Sequence, residues 1–315
     1  MKSLFRNHLG NISYEDWEWR WMRLLFAPVI WLATFPTLRF WVVDLPNTID
    51  REEPNGLGML VPLEWLGQPV PTALCALAIA ILLIFYVLGK GLPWVTTGLA
   101  VLHAAAGSLL YSPRGHHHSA QLVGMVLMGQ SAWFLYHAWR KRSRKAGDSP
   151  RESATGAVFW SQQMIAAAYV VSAISKWVNS GGGWIPGWRW VQQTPNIVVQ
   201  FEKNHLQSFY DSLQTPPETL NRGVMEWFGD HPWAAMLCIA PGFYLELFAF
   251  LGLFNRVAAA LMGVALILLH VFIALLMHLE FRYFMATDLI FLVNLPYWIA
   301  TLVQIRSING TTATA

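Results

Sequence analysis

Charged side chains are scarce in this 315-residue sequence. Asp, Glu, Lys and Arg make up 12% of the residues, about half of the usual share in soluble domains, whereas 55% are hydrophobic. This composition excludes an ordinary soluble domain. The net charge of +3 also excludes the broad basic surface of a nucleic-acid-binding protein, so no nucleic-acid partner is expected. The sequence predicts an integral membrane protein whose partner is the lipid bilayer.

Cysteine and the familiar short motifs are also missing or rare. The two cysteines, Cys75 and Cys238, lie in apolar runs, and we expect small core residues rather than a disulfide. No CxxC, GxGxxG, Walker or HExxH pattern occurs. The first residues, MKSLFRNHLGNISYEDWEW, lack the basic-then-apolar pattern of a cleavable signal peptide, so none is expected.

Apolar windows long enough to cross a bilayer, about 20 residues each, are abundant instead. Eight are found: 21–43, 72–89, 92–111, 119–139, 158–178, 233–254, 257–279 and 284–303. They predict an all-α polytopic membrane bundle of about eight transmembrane helices. We expect a single domain over 1–315, with the helical bundle at 20–303 and a long, partly helical extracytoplasmic loop at 179–232.

The distribution of charge among the loops predicts the orientation. The basic loop 140–145 (RKRSRK) favours the cytoplasm, and the acidic loop 44–71 then lies outside. An even number of spans places the N- and C-termini in the cytoplasm. The segment 14–25 (YEDWEWRWMRLL) mixes tryptophan with both charge signs, and we expect it to lie along the inner surface.

Lys176 is the first candidate for a functional group. It lies near the outer end of the fifth window, just before the glycines 181–183. It could be an interface anchor, its stem on lipid and its amine in water. Alternatively, it could be a buried base, because ionisable groups within spans are expensive and tend to be functional.

Histidines offer further candidates. His116, His117 and His118 precede the fourth window, and they could be a hydrated helix start, a zinc site or the source of one catalytic imidazole. Adjacent helical residues point about 100° apart, so one ion could not easily bind all three, and no metal is expected. His270 lies mid-depth in the seventh window, with His278 two turns further out.

The predicted topology brings these groups together. His118, Lys176 and His278 all come out at the outer ends of their helices, with His270 below them, which favours one cavity at the outer leaflet. Glu246, within the sixth window, must be paired or neutral; a structural partner for Lys176, an arginine or a histidine is one expectation, and a site role is the other.

Several stretches resemble one membrane family. YVVSAISKW, from Tyr169 to Trp177, and the later WIPG, from Trp184 to Gly187, resemble the Y-hydrophobic-A-G-x-x-K…W-x-x-G pattern of the horizontally transferred transmembrane (HTTM) domain. His118-Ser119 is similar to the His-Ser that opens a helix in the same domain. Glu246 followed by the His270 helix is similar to its acidic and histidine helices. The resemblance covers most of 20–303.

The HTTM domain is the membrane part of the vitamin K-dependent γ-glutamyl carboxylases, and the resemblance implies their chemistry. Lys176 would act as a base toward reduced vitamin K or a related isoprenoid quinol. The deprotonated quinol reacts with oxygen to give a strong base that removes the γ-proton of a glutamate, and carbon dioxide then adds. His118 would steady an anionic intermediate and His270 would join the catalytic set. We expect Glu246, Trp184 and His278 to bind the cofactor.

Two departures bear on the substrate. Ser175 stands where the animal carboxylase has a second lysine, and few residues follow the eighth window, so a large lumenal domain is not expected. The substrate is therefore left open between a protein glutamate, a small molecule and a lipid. The alternative to a carboxylase-like enzyme is a non-enzymatic membrane protein that binds or transports a lipid or quinone.

Overall fold

The computed structural model describes residues 12–43, 64–114, 120–144, 150–201, 203, 206, 213 and 220–312. Every regular element in this part of the chain is helical. The eleven α-helices are α1 Asp16–Val43, α2 Pro69–Leu88, α3 Leu92–Arg114, α4 Gln121–Arg144, α5 Pro150–Asn179, α6 Trp188–Ile197, α7 Leu220–Asp230, α8 Pro232–Leu247, α9 Arg256–Met277, α10 Arg282–Asp288 and α11 Leu295–Thr312. Short 3-10 helices cover Glu64–Gly67 and Ala249–Leu253.

Three described helices are long and apolar enough to cross a membrane: α2, α5 and α9. A fourth crossing is possible if α10 and α11, which meet at a bend of 46°, form one broken span. The all-helical membrane fold is therefore confirmed in this coarser form, and the eight-span architecture stays a prediction.

The segment 14–25 is largely part of a longer helix, and its position along the inner surface stays a prediction. Its residues from Asp16 onward are the first turns of α1, which continues through Pro28 and Pro36 to Val43. The two sides of this part of α1 differ in burial: Trp19 and Met22 pack into the core, whereas Trp17 and Trp21 are exposed.

Two predicted spans are interrupted. The window 233–254 divides into α8 and a 3-10 helix, with Phe248 between them. The window 284–303 contains α10, a π-helical turn at Leu289–Val293, and then Asn294 in a left-handed conformation with φ of 54° before α11 begins. Asn tolerates this conformation better than most side chains do, so it can provide the bend.

The helices pack through small residues and shared hydrogen bonds. α4 lies between α3 and α5. A Cβ atom at Gly156 of α5 would lie 2.0 Å from the Trp133 ring of α4, so only glycine allows this approach. Tyr86 donates to Gln130 at 2.9 Å, and Gln130 donates to Ser161 at 3.0 Å, which links α2, α4 and α5.

One end of the bundle is closed by a buried ionic network. Arg256, at the start of α9, donates to Glu18 of α1 at 2.6 Å, and Asn294 donates to the same carboxylate at 2.6 Å. The guanidinium also lies over the rings of Tyr14 and Tyr297, at 4.4 and 4.3 Å. Burial raises the pKa of Tyr14 to about 12, so this ring stays uncharged at neutral pH. The network ties the start of α1 to α9 and to the bend before α11.

The predicted basic loop begins at this same end. Arg151 pairs with Glu15 at 3.0 Å, and Arg140 pairs with Glu152 at 3.0 Å. The start of α1, the end of α4 and the start of α5 therefore share one end of the bundle, as the loop charges predict. The side of the membrane on which this end lies stays a prediction.

Glu18→Gln should destabilise the fold by about 3 kcal/mol, because it leaves the Arg256 guanidinium without its carboxylate. Glu280→Gln is the matched control: its pair with Arg282 is 3.2 Å long, with both side chains about two-thirds exposed, and its loss should cost less than ~1 kcal/mol. Thermal unfolding in detergent measures both. Equal melting temperatures for the two variants would contradict a stabilising role for this network.

Candidate functional site

α5 ends in a glycine turn that reverses the chain. Gly182 N donates to Trp177 O and Gly181 N donates to Val178 O, each at 3.0 Å, which closes the helix in the manner of a Schellman motif. The glycines 181, 182 and 183 have φ of 99°, 64° and 125°, a region that side chains disfavour. Arg189 of α6 donates to Gly181 O at 2.8 Å and holds α6 against the turn.

Gly187 then allows an aromatic stack to form beside Lys176. Its φ is 74°, and a Cβ atom there would lie 2.1 Å from the Phe243 ring of α8. Phe243 stacks on Trp190 with 5.5 Å between ring centroids. The Trp190 ring lies 5.7 Å from the Lys176 ammonium, within the range of a cation–π contact.

Lys176 is neither a simple interface anchor nor an unpaired base. Its ammonium forms a hydrogen-bonded salt bridge with Glu246 Oε2, and the two side chains are 32% and 10% exposed. Ser172, one turn earlier in α5, donates to the same oxygen at 3.2 Å. The expected structural partnership of Glu246 with Lys176 is confirmed, although Glu246 is the second-last residue of α8 rather than a mid-span residue.

A second polar pair lies one to two turns back along α5. Tyr169 donates to Asp288 Oδ2 at 2.6 Å, and Asp288 is fully buried, with Oδ1 lacking a hydrogen-bond partner among the described residues. His270 lies against Tyr169, with 5.7 Å between ring centroids, and against Phe281 and Phe284. Its Nδ1–H donates to Leu266 O at 2.8 Å, which leaves Nε2 as the acceptor of the neutral ring.

These two pairs lie along the same helix, because Tyr169 and Lys176 are seven residues, or about two turns, apart on α5. We name Tyr169, Lys176, Glu246, His270 and Asp288 the polar cluster. It combines an amine, a carboxylate pair, a phenol and an imidazole beside aromatic rings, so it has donors and acceptors suited to moving protons.

The structure assembles only part of the predicted site. Lys176 contacts Glu246, and His270 contacts Tyr169 about two turns back along α5, whereas His118, like His116 and His117, lies outside the described residues. His278 is the exposed residue that ends α9, with φ of 52°. Trp184 is fully exposed, and its role in cofactor binding stays a prediction; Trp190, six residues later, is the tryptophan that lies beside Lys176.

Sequence reasoning missed Asp288 and Tyr169 as site residues. Asp288 is the one charged residue of the window 284–303, so the rule that selected Lys176 and Glu246 would have selected it too. Tyr169 was visible only as part of the resemblance. A tyrosine within an apolar window does not stand out in the sequence pattern. Its hydrogen bond to Asp288 of α10 becomes visible only in the folded structure.

Two cavities lined by described residues lie away from the polar cluster. One is formed by the start of α1 and the end of α2, and the other by residues of α7 and 195–199. Within the described residues no group of three His, Cys, Asp or Glu side chains could hold a metal ion. His116, His117 and His118 are not among the described residues, so a zinc site there stays untested.

Comparisons of the chain with known protein families, with curated proteins and with solved structures give no match. The resemblance to the HTTM domain therefore stays an interpretation of the motifs.

Gly187→Ala should destabilise the fold by about 1–3 kcal/mol, because it introduces a Cβ atom into the Phe243 ring at a positive φ. The displaced stack should also move Trp190 and expose Lys176 to faster acylation by an amine-reactive reagent.

The matched control is Gly223→Ala in α7, where nothing lies within 4 Å of the added atom. It should be neutral or stabilise by up to ~1 kcal/mol. Thermal unfolding and peptide mapping of acylated Lys176 measure the two effects; an unchanged melting temperature and acylation rate in Gly187→Ala would refute the account of the turn.

Proposed function

We propose that this chain is a carboxylase-like membrane enzyme that uses a reduced quinone and oxygen, with Lys176 as its base. The observation that carries the proposal is the Lys176–Glu246 pair, set beside Trp190 and about two turns along α5 from Tyr169, against which His270 packs. The HTTM-like order of motifs points to the same lysine. Abstraction of a substrate proton follows in this proposal, with carboxylation as a further step.

The salt bridge with Glu246 does not prevent Lys176 from acting as a base. Transfer of one proton from Nζ to Oε2 converts an ion pair into a neutral amine and a neutral acid. A poorly hydrated site favours the neutral pair relative to water, because both charges lose their hydration together. The amine can then take a proton from an acidic hydroxyl, while Ser172 holds the Glu246 side chain in place.

The remaining members of the polar cluster support that exchange. His270, fixed by its bond to Leu266 O, offers Nε2 as an acceptor next to Tyr169. Tyr169 joins this region to Asp288, whose second oxygen is still available as an acceptor among the described residues. In this proposal His270 orients the reacting group, and the Tyr169–Asp288 pair stores or returns a proton.

The side chains of the polar cluster and the neighbouring Trp190 suit a phenolic cofactor better than a metal ion. A quinol needs an acceptor for its hydroxyl and aromatic surface for its ring, which Lys176 and Trp190 can supply. When bound, the quinol would supply the electrons that reduce oxygen. The exposed apolar faces of α5 and α9, including Val171, Ile174 and Leu268, offer an isoprenoid tail a route from the bilayer.

Location and substrate belong to the proposal as well. We infer eight spans, with both termini cytoplasmic and Lys176 near the extracytoplasmic surface, from the loop charges. A single HTTM-like domain over 1–315 would house the whole reaction. The substrate is a molecule with an acidifiable C–H bond, either a protein glutamate, a small molecule or a lipid.

Lys176→Ala should reduce oxygen consumption with a reduced naphthoquinone by at least ~100-fold, because the base is gone. Lys176→Arg should lose activity too, although it can pair with Glu246, because a guanidinium stays protonated. A small soluble amine should partly restore Lys176→Ala. Oxygen uptake by the protein in nanodiscs measures all three.

Lys203→Ala is the matched control, since Lys203 is an exposed lysine in the same predicted outer loop, and it should retain full activity. Size-exclusion chromatography verifies that each variant is folded. Full activity in a folded Lys176→Ala protein would show that this lysine is not the base.

A non-enzymatic protein that binds or transports a lipid or quinone is the second candidate. The observation that favours it is the Lys176 salt bridge itself, which is also what a structural ion pair would look like. This candidate predicts a quinone or lipid that co-purifies with the chain, identifiable by mass spectrometry, and no oxygen uptake above the buffer rate in any variant.

A further inference from the structure

A cavity of about 560 Å³ lies far from the polar cluster, between the first turns of α1 and the end of α2. Asp16, Arg20, Trp21, Arg23 and Leu24 line it from α1, and Val87, Leu88 and Gly89 from α2. We propose that this cavity binds the headgroup of an anionic phospholipid. The proposal is independent of the enzymatic function.

Arg23 is the most buried charged side chain that lines the cavity. It is 5% exposed, its Nη1 donates to Tyr86 O at 2.9 Å, and its Nε has no hydrogen-bond partner in the described part of the chain. No carboxylate of a described residue forms a salt bridge with it, whereas Arg20 pairs with Asp16 at 2.6 Å. Asp16 lines the same cavity, but its carboxylate is bound by Arg20, so the buried Arg23 Nε still lacks an acceptor, which a phosphate oxygen would supply.

Gly89 provides the space for this guanidinium. It ends α2 in a left-handed conformation with φ of 71°, and a Cβ atom there would lie 2.2 Å from Arg23 Nη1. The close approach lets the guanidinium reach the last carbonyls of α2, where the helix dipole favours a cation. The fold therefore holds Arg23 at the cavity although no acidic side chain of the described residues forms a salt bridge with it.

The surroundings indicate a lipid rather than a free phosphate. α2 is one of the helices long and apolar enough to cross a membrane, and a cavity at the end of such a span would lie at headgroup depth. Trp21, Leu24 and Leu88 expose apolar surface beside the cavity, where acyl chains would lie. Lys90 is exposed next to Gly89 and adds positive charge, whereas the charge of Arg20 is offset by Asp16. An anionic phospholipid would place its phosphate at the positively charged side chains and its acyl chains on the apolar ones.

Native mass spectrometry of the full chain in detergent tests the proposal. Phosphatidylglycerol should bind more tightly than phosphatidylcholine with the same acyl chains. Arg23→Gln should weaken phosphatidylglycerol binding at least ~10-fold, because charge-assisted hydrogen bonds are lost. Arg282→Gln, a remote and exposed arginine, should leave binding unchanged.

Two further measurements cover the other outcomes. Trp21→Ala changes a half-exposed side chain and should weaken phosphatidylglycerol binding several-fold even if Arg23→Gln does not fold. Inorganic phosphate, tested as a competitor, should displace little lipid. Equal binding of the two lipids, unaltered binding by a folded Arg23→Gln or by Trp21→Ala, or full competition by phosphate would overturn the proposal.

Discussion

A charged side chain buried among apolar helices needs a partner from the protein, because lipid cannot supply one. The architecture of this protein follows from that constraint. Arg256 of α9 finds Glu18 of α1, and Lys176 of α5 finds Glu246 of α8. His103 of α3 bridges Thr34 of α1 and the backbone before α4, at 2.7 and 3.0 Å. Each pair fixes the relative position of two or more helices.

α5 is the helix on which most of these partnerships converge. Gln162 donates to Tyr14 and to the Phe291 carbonyl, each at 2.7 Å, and Tyr169 reaches Asp288 further along. After α5 the glycine turn reverses the chain, and α6 and α8 then pack over the last turns of α5. A single polar face of α5 thus connects the ionic network at one end of the bundle to the polar cluster near the other.

The sequence predicts the helical membrane fold because scarce charge combined with long apolar windows is typical of chains that cross a bilayer as helices. It also predicts the importance of Lys176, Glu246 and His270, since ionisable side chains are costly in such windows. It could not predict the split of the window 233–254 or the bend at Asn294, because both windows are apolar on average and the breaks depend on packing. It did not single out Trp190, because an aromatic residue carries no mark in the sequence of the direction it faces.

The most direct test of the proposed base is an experimental structure of the protein with a reduced naphthoquinone bound in the absence of oxygen. The account predicts a quinol hydroxyl at about 2.6–3.2 Å from Lys176 Nζ, with the ring beside Trp190. A quinol bound elsewhere in the bundle, with Lys176 still enclosed by Glu246 and out of its reach, would contradict the account.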